Sequence, residues 1–213
     1  MSNQVVVVIT GAGRGIGKSL SQAYLARPNH IVVGSIRDDT APGVAESKAS
    51  PKGDGSRLLL VKIESASPQD AGKAVKEMEA EGIDHIDILI PNAGVSPPVE
   101  PIETVDLGVL SSAFNVNAMG PLALYQACFP LLKKSSNAKA AHWGNEWLTA
   151  VALNPGLVHT DMGSKTAKYL GLEKAPWTPK QSAEKLMGII DQASREKYSG
   201  KFVNAINGDE LPW

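Results

Sequence analysis

The chain has 213 residues and a mass of 22.5 kDa, enough for one domain over 1–213, and 43% of its residues are apolar, as in ordinary globular proteins. Its 21 basic and 22 acidic residues nearly cancel, so no long-range charge favours nucleic acid or an anionic membrane surface as a partner. The four histidines lack metal-ligand spacing, so no metal site is predicted. One cysteine excludes an internal disulfide, and no leader or apolar run of about 18 residues is expected. These features predict a cytoplasmic protein.

Predicted strands and helices alternate along the chain. Short runs of β-branched and apolar residues, typical of strands buried on both faces of a parallel sheet, predict strands at 5–10, 31–35, 58–63, 86–90, 148–153 and 202–204. Helical spacing and start signals predict helices from 16 to about 26, over 67–82, over 107–132, and from a capping box at 178–181 to about 200. The segment between the second and third strands has room for a short helix only. This alternation predicts an α/β fold with a doubly wound parallel sheet.

A glycine-rich stretch, TGAGRGIGKS at 10–19, follows the first strand. Its four glycines leave bare backbone where the chain turns from strand into helix, so a phosphate group can bind the free N–H groups of the helix start. A P-loop fits poorly because its leading glycine would be Ala12, and the strict G-x-G-x-x-G fingerprint fails at Ile16. The spacing that fits is Thr-Gly-x-x-x-Gly-x-Gly.

With that spacing the sequence resembles the short-chain dehydrogenase/reductase family, and further stretches in the family's order extend the resemblance. Asn92, Ala93 and Gly94 follow the fourth strand, which would lie beside the first at the ligand-binding edge of the sheet. The stretch NPGLVHTDM at 154–162 resembles the family's nicotinamide-contacting loop, and 199–213 resembles the end of norsolorinic-acid-ketoreductase-like and related carbonyl reductases. The resemblance implies a Rossmann-type fold that binds a dinucleotide.

The end of the second strand bears on the choice of coenzyme. Family members that use NAD usually have a carboxylate where this chain has Ser35, whereas Arg14 and Arg37 can pair with a 2′-phosphate, so NADP(H) is favoured. Alternatively, Arg37 is only a solvated charge in a loop. Glu64 matches the family's adenine-contacting acid, and the alternative is that Glu64 is a simple surface acid. The resemblance implies this cofactor-binding set: Gly11, Arg14, Gly15, Ile16, Gly17, Arg37, Glu64, Asn92, Ala93, Gly94, Pro155, Val158 and Thr160.

Asn117 is the one candidate catalytic residue. Asparagine is a poor choice inside a helix, and Pro121, which has no N–H, leaves the carbonyl of Asn117 without its helical donor. The sequence therefore predicts a kink at this point. The resemblance implies that this asparagine holds a water linking the family's catalytic lysine to solvent, and a purely structural kink is the alternative.

The rest of the family's catalytic group is missing. Family members reduce a carbonyl group with a hydride from the nicotinamide, and a tyrosine donates the proton. A lysine four residues after the tyrosine lowers the pKa of that tyrosine, and a serine orients the substrate. None of the four tyrosines has a lysine at the fourth position after it. Only 13 residues separate Lys134 from Leu148, too few for a strand and its helix, so the fifth strand and the following helix are expected to be absent.

Residues 135–150, SSNAKAAHWGNEWLTA, are therefore interpreted as a seam. Without the fifth strand, both neighbouring strands would expose ladder groups unless 148–153 moves into its place. Either the natural protein carries a segment that this sequence lacks, or the chain is truncated and has lost catalysis. The first interpretation predicts an NADPH-dependent reductase of small ketones or aldehydes, with a homodimer or homotetramer implied by the resemblance. The second predicts a nucleotide-binding sensor or interaction partner.

The sequence does not identify the carbonyl substrate. Its binding wall would be built from the missing segment and from 163–177, which is expected to be a variable loop. The first interpretation also predicts that the intact mass of the purified protein exceeds 22.5 kDa by several kDa.

Overall fold

The computed structural model describes residues 4–139 and 147–213, and strands alternate with helices from β1 to α4. In chain order the elements are β1 (Val5–Ile9), α1 (Gly15–Leu25), β2 (His30–Ile36), α2 (Pro42–Ala49), β3 (Arg57–Lys62), α3 (Pro68–Ala80), β4 (Ile88–Ile90), α4 (Leu107–Phe114), a π-helical turn (Asn115–Met119), α5 (Gly120–Leu132), β5 (Val151–Asn154), α6 (Asp161–Tyr169), α7 (Pro179–Gln192), β6 (Lys201–Asn204) and β7 (Glu210–Leu211).

The strands form two hydrogen-bonded groups. Four parallel strands are arranged in the order β3-β2-β1-β4, with Val7 of β1 opposite Val32 on one side and Ile88 on the other. The second group has the order β5-β6-β7, in which β7 runs antiparallel to β6. This topology confirms the predicted doubly wound α/β fold. Strand β7 was not predicted, because two residues are too short to show a strand pattern.

Helices cover both faces of the sheet. Val6 and Val8 of β1 belong to a core cluster that includes residues of α3 and α5, whereas Val7 and Ile9 belong to a second cluster with residues of α1 and α7. All four side chains are fully buried. The continuous apolar run of β1 is explained by this double coverage, since alternate residues of a strand point to opposite faces.

Helix boundaries follow the sequence signals at most ends. In the capping box of α7, the Gln181 N–H donates to Thr178 Oγ1 and the Thr178 N–H donates to Gln181 Oε1. Helix α7 ends at Gln192, earlier than predicted, because Ala193 is already extended. The prediction of a loop over 163–177 is wrong in its first part, where α6 forms with Thr160 as its N-cap.

The long helix predicted over 107–132 is interrupted at Asn117. Pro121 cannot donate to the carbonyl four residues before it, so the regular helical ladder cannot continue there. The chain forms the π-helical turn instead, in which the Gly120 N–H bonds to the carbonyl of Asn115, five residues back. The predicted irregularity at Asn117 is therefore present.

The stretch Leu107–Leu132 is long and apolar enough to cross a membrane, judged by length and composition alone, with a mean hydropathy of 1.3. No run of this kind was expected, because serine, asparagine and glycine interrupt its apolar residues; it contains no charged residue, however. Leu124, Cys128 and Leu131 are buried in the core cluster that also contains Val6. We therefore interpret α5 as a core helix of the domain.

Ala138 and Lys139 join the two groups of strands at the seam. The Leu89 N–H donates to the carbonyl of Lys139 (2.9 Å), and the Thr149 N–H donates to the carbonyl of Ala138 (3.1 Å). These two residues, the bridge, occupy the start of the place that a fifth strand would fill, so 148–153 has not moved into it. All four residues of β5 are only half-buried. Seam residues 140–146 lie outside the described residues.

Asp87 and the side chain of Lys139 fix the position of the bridge. Asp87, just before β4, accepts the Val6 N–H (2.8 Å) and the Ser135 hydroxyl (2.6 Å), and its carbonyl accepts the Lys139 N–H (2.7 Å). The Lys139 ammonium donates to the carbonyl of Ile190 (2.9 Å) at the end of α7. Burial lowers the pKa of Lys139, an effect that nearby Asp191 opposes. A cation at a helix C-terminus is favoured by the helix dipole.

His85, beside this anchor, predicts a pH-dependent stability. Its Nδ1 lies 2.7 Å from Asp84 Oδ1 and its Nε2 lies 3.2 Å from Asp87 Oδ2. Burial lowers the pKa of His85, but the hydrogen bond to Asp84 and the charges of both carboxylates outweigh it, so the pKa is raised above 6.5. A group with a raised folded-state pKa stabilises fully below its unfolded-state pKa, and this contribution is lost as the pH rises through the folded-state pKa.

We expect the unfolding free energy of the wild type to fall by about 0.5–1 kcal/mol more than that of His85→Gln between about pH 6 and pH 8. Urea unfolding of both proteins across this range measures the difference. Parallel pH profiles would contradict a charged His85 between the two carboxylates.

Candidate functional site

The stretch 10–17 forms a tight corner between β1 and α1 at the carboxyl edge of the sheet, called the glycine corner below. Gly11 and Gly15 have φ values of +72° and +57°, a region that favours glycine. A Cβ atom on Gly17 would lie 2.4 Å from the carbonyl oxygen of Gly11 and 2.4 Å from Asn92 Nδ2. Helix α1 therefore packs so closely against the corner that a side chain at Gly17 does not fit.

The first turn of α1 presents unbonded N–H groups. Lys18 is the first residue of the helix whose N–H reaches back along the chain, to the carbonyl of Arg14 (3.1 Å). The N–H groups of 15–17 have no acceptor within the helix, and no acidic residue lies in this first turn. The helix dipole adds positive potential at the same point. Bare backbone and free N–H donors of this kind can bind a phosphate group, which was the prediction for this corner.

Thr10 joins the glycine corner to the loop after β4. Its Oγ1 accepts the N–H groups of Asn92 (3.0 Å) and Ala93 (3.0 Å), and Asn92 Nδ2 donates to the Thr10 carbonyl (2.9 Å). Thr10 is 4% exposed, so water cannot replace these bonds easily. Asn92 and Ala93 are thereby brought against Gly11. Thr10 was absent from the predicted set, although the threonine of the motif was the signal that could have found it.

Asn117 reaches the same loop. Its Nδ2 donates to the carbonyl of Val95 (2.8 Å), and the Val95 N–H donates to its Oδ1 (2.9 Å). Oδ1 also lies 3.2 Å from the position of a Cβ atom on Gly94. The side chain thus ties the π-helical turn to the loop after β4. The water-relay role stays a prediction, and it concerns the backbone carbonyl of Asn117.

The start of α6 faces the glycine corner, and the space between them is called the cleft below. Thr160 caps α6 by accepting the Gly163 N–H at Oγ1 (3.0 Å), and its methyl carbon lies 3.2 Å from the position of a Cβ atom on Gly15. Val158 is buried, with 3% of the residue exposed. The carbonyl of Pro155 accepts the Ser182 hydroxyl (2.9 Å), which fixes this side of the cleft to α7.

The two predicted phosphate-binding arginines contact different carboxylates. Arg14 Nη1 lies 3.1 Å from Asp161 Oδ2, and Arg37 Nη1 lies 3.8 Å from Glu64 Oε2. Both pairs are exposed to solvent. The structure therefore brings Glu64 to Arg37 and places Arg14 beside α6.

Ser35 and Glu64 both lie near the glycine corner, at distinct places. Ser35 is 2% exposed and its Oγ accepts the Gly11 N–H (3.2 Å), so this side chain supports the glycine corner from below. Strand β2 continues to Ile36, one residue beyond the predicted end. Glu64 lines a narrow cavity together with Thr10 and Ala93, next to the glycine corner.

Two buried groups with reactive chemistry do not contribute to this site. Burial raises the pKa of the Cys128 thiol to about 12, so the thiol is protonated at neutral pH. Burial, assisted by the charge of Asp191 and opposed by Arg27, raises the pKa of Tyr24, which is fully buried in the core cluster of α1 and α7. In the two ranges that the structure describes, no group of three or more His, Cys, Asp or Glu side chains could hold a metal ion.

Comparisons with known proteins agree with this geometry. A family model described as short chain dehydrogenase matches residues 5–142. A short-chain dehydrogenase of Neurospora crassa, srdF, is 42% identical, with 100% of this chain and 99% of that protein aligned. A norsolorinic acid ketoreductase of Dothistroma septosporum is 31% identical over 100% of this chain and 94% of its own length. The crystal structure of an NADPH-bound carbonyl reductase from chicken fatty liver has the same fold, with a TM-score of 0.81, 24% identity, and coverage of 99% of this chain and 100% of that one.

The Neurospora alignment is longer than this chain. It extends over 253 positions although the chain has 213 residues, so about 40 aligned positions have no counterpart in this chain. A strand and its helix, with their connections, need a segment of about this size.

Proposed function

Because the chain belongs to the short-chain dehydrogenase family, we propose that the protein is an NADP(H)-dependent oxidoreductase that reduces the carbonyl group of a ketone or aldehyde. One observation carries the proposal: the glycine corner, the Asn92–Ala93 loop and the start of α6 converge at the carboxyl edge of the four-stranded parallel sheet. Ligands of doubly wound sheets bind at this edge. The ketoreductase and the NADPH-bound carbonyl reductase among the similar proteins support the choice of reaction and coenzyme.

We propose which residues of the cleft would contact each part of the coenzyme. The N–H groups of the glycine corner would bind the diphosphate, and Arg14 and Arg37 would bind the 2′-phosphate. Glu64 would contact the adenine. When bound, the nicotinamide supplies the hydride that reduces a carbonyl carbon. The loop at Asn92, Ala93 and Gly94 would contact the ribose, and the wall at Pro155, Val158 and Thr160 would orient the nicotinamide.

We propose that the natural protein carries the family's serine, tyrosine and lysine on a further segment between Lys134 and Leu148. Three observations support this segment: the half-buried β5, the aligned positions without a counterpart, and an uncovered apolar face on α4. Leu107 and Phe114 of that face are 75% and 60% exposed. Apolar surface of this kind is normally covered in a folded domain, because its burial stabilises the folded state.

A second function applies to the 213-residue chain by itself. The coenzyme side of its cleft is formed, whereas the sequence contains no Tyr-x-x-x-Lys. A chain of this kind would bind the nucleotide without turnover and could act as a sensor or an interaction partner.

Adding the missing segment to the chain is the experiment that distinguishes the two functions. We expect the 213-residue chain, with its mass confirmed at 22.5 kDa, to bind NADPH but to oxidise none of it with a panel of ketones and aldehydes. A chimera with the corresponding segment of the Neurospora relative inserted at the seam should gain NADPH oxidation, because the proton donor and its lysine are restored. Turnover by the 213-residue chain itself would contradict the requirement for the segment. Absence of turnover in a folded, NADPH-binding chimera would favour the second function.

We further propose that the protein is cytoplasmic and forms a homodimer or homotetramer. Sedimentation of the purified protein measures the assembly directly.

A further inference from the structure

Asp161 lies between the N-termini of α1 and α6, which face each other across the cleft. It follows the N-cap residue Thr160, whose methyl carbon abuts Gly15 at the start of α1. Its carboxylate reaches across to Arg14, with Nη1 and Oδ2 3.1 Å apart. Both helix starts carry unbonded N–H groups and positive potential, so an anion between them is favourable. In the structure the Asp161 carboxylate fills that role.

We infer that Asp161 is a specificity-determining residue, a counter-ion of Arg14 that the 2′-phosphate of the coenzyme must displace. The inference rests on the proposed function, because it assumes that Arg14 binds this phosphate. Asp161 belongs to none of the predicted site residues, and its carboxylate competes with the phosphate for the same guanidinium group.

The exchange is energetically feasible because the Arg14–Asp161 pair is weak. Its two side chains are 72% and 80% exposed, and breaking an exposed ion pair changes an equilibrium constant by at most about fivefold. A phosphate group offers more negative charge and several acceptor oxygens, so it can bind the planar guanidinium bidentately and more strongly. The 2′-phosphate should therefore replace the carboxylate, and the cost of breaking the ion pair should reduce NADPH affinity in the wild type.

Removing the charge of Asp161 tests the inference. We expect Asp161→Asn to lower the Kd for NADPH by about three- to fivefold, the equivalent of an exposed ion pair, and to change the Kd for NADH by less than about 1.5-fold. Calorimetric titration measures both constants. Glu184→Gln on α7 is the matched control, because it removes one negative charge from an exposed position away from the cleft and should leave both constants unchanged.

A double-mutant cycle separates exchange at Arg14 from a general field effect. In an Arg14→Gln background, Asp161→Asn should change the Kd for NADPH by less than about 1.5-fold, since the shared partner is gone. Equal tightening of NADPH and NADH, an unchanged or weakened NADPH affinity in Asp161→Asn, or full tightening in the Arg14→Gln background would each overturn the inference. If the folded wild type binds neither coenzyme, the proposed function itself fails, which is a distinguishable result.

Discussion

Replacing Gly17 with alanine is expected to destabilise the domain and to impair coenzyme binding together. The added Cβ atom would lie 2.4 Å from the carbonyl oxygen of Gly11, a backbone atom that cannot rotate away. Helix α1 must then shift from β1, with an expected loss of about 1–3 kcal/mol of unfolding free energy. The same shift moves the free N–H groups, so the Kd for NADPH should rise at least about tenfold, or about 1.4 kcal/mol. Urea unfolding and calorimetric titration measure the two effects.

Gly72→Ala is the matched control for this substitution. Gly72 lies inside α3, and a Cβ atom there would have no neighbour within 4 Å. Alanine at an open helical position should stabilise the protein by up to about 1 kcal/mol and leave NADPH binding unchanged. Equal behaviour of the two variants would refute the close packing of α1 on the glycine corner.

Thr10→Val is expected to have a comparable effect for a different reason. Valine has nearly the same shape as threonine, but it removes the one oxygen atom that accepts the N–H groups of Asn92 and Ala93. A buried N–H group without an acceptor costs about 1–3 kcal/mol, so two of them should lower the unfolding free energy by about 2–4 kcal/mol. The loop after β4 would lose its fixed distance from Gly11, and NADPH binding should weaken with it.

Thr10→Ser separates the hydroxyl group from the methyl group. Serine keeps the acceptor and removes one methyl group, so the expected loss is only about 0.8 kcal/mol. Chemical unfolding of the three proteins ranks them as wild type, serine variant and valine variant. A serine variant that is as unstable as the valine variant would show that packing of the methyl group, not the hydroxyl, holds the loop.

The central part of the fold could be predicted because local signals and tertiary packing agree there. The apolar run of β1 indicates a strand that is buried on two faces. The glycine spacing that follows it indicates a backbone geometry that few other residues can adopt. Pro121 predicted the irregular helix at Asn117 from a single missing donor. In each case a short stretch of sequence already contains the physical constraint.

Other features depended on partners far away in the sequence. Arg14 was expected to pair with a 2′-phosphate, as Arg37 was, and its contact with Asp161 on α6 was not predicted. Helix α6 covers the first part of the stretch 163–177, which was expected to be a variable loop. The bridge at Ala138 and Lys139 has only two residues, and its position depends on Asp87 and on the end of α7. Nothing in the local sequence indicates these contacts.

The proposed function requires that the glycine corner bind the diphosphate of a dinucleotide. Titrating the folded wild-type chain with NADPH in a calorimeter tests this claim directly. We expect saturable binding of one NADPH per chain with a Kd of roughly 1–100 µM, lost or strongly weakened in Gly17→Ala. Absence of binding heat with both NADPH and NADH would contradict the claim.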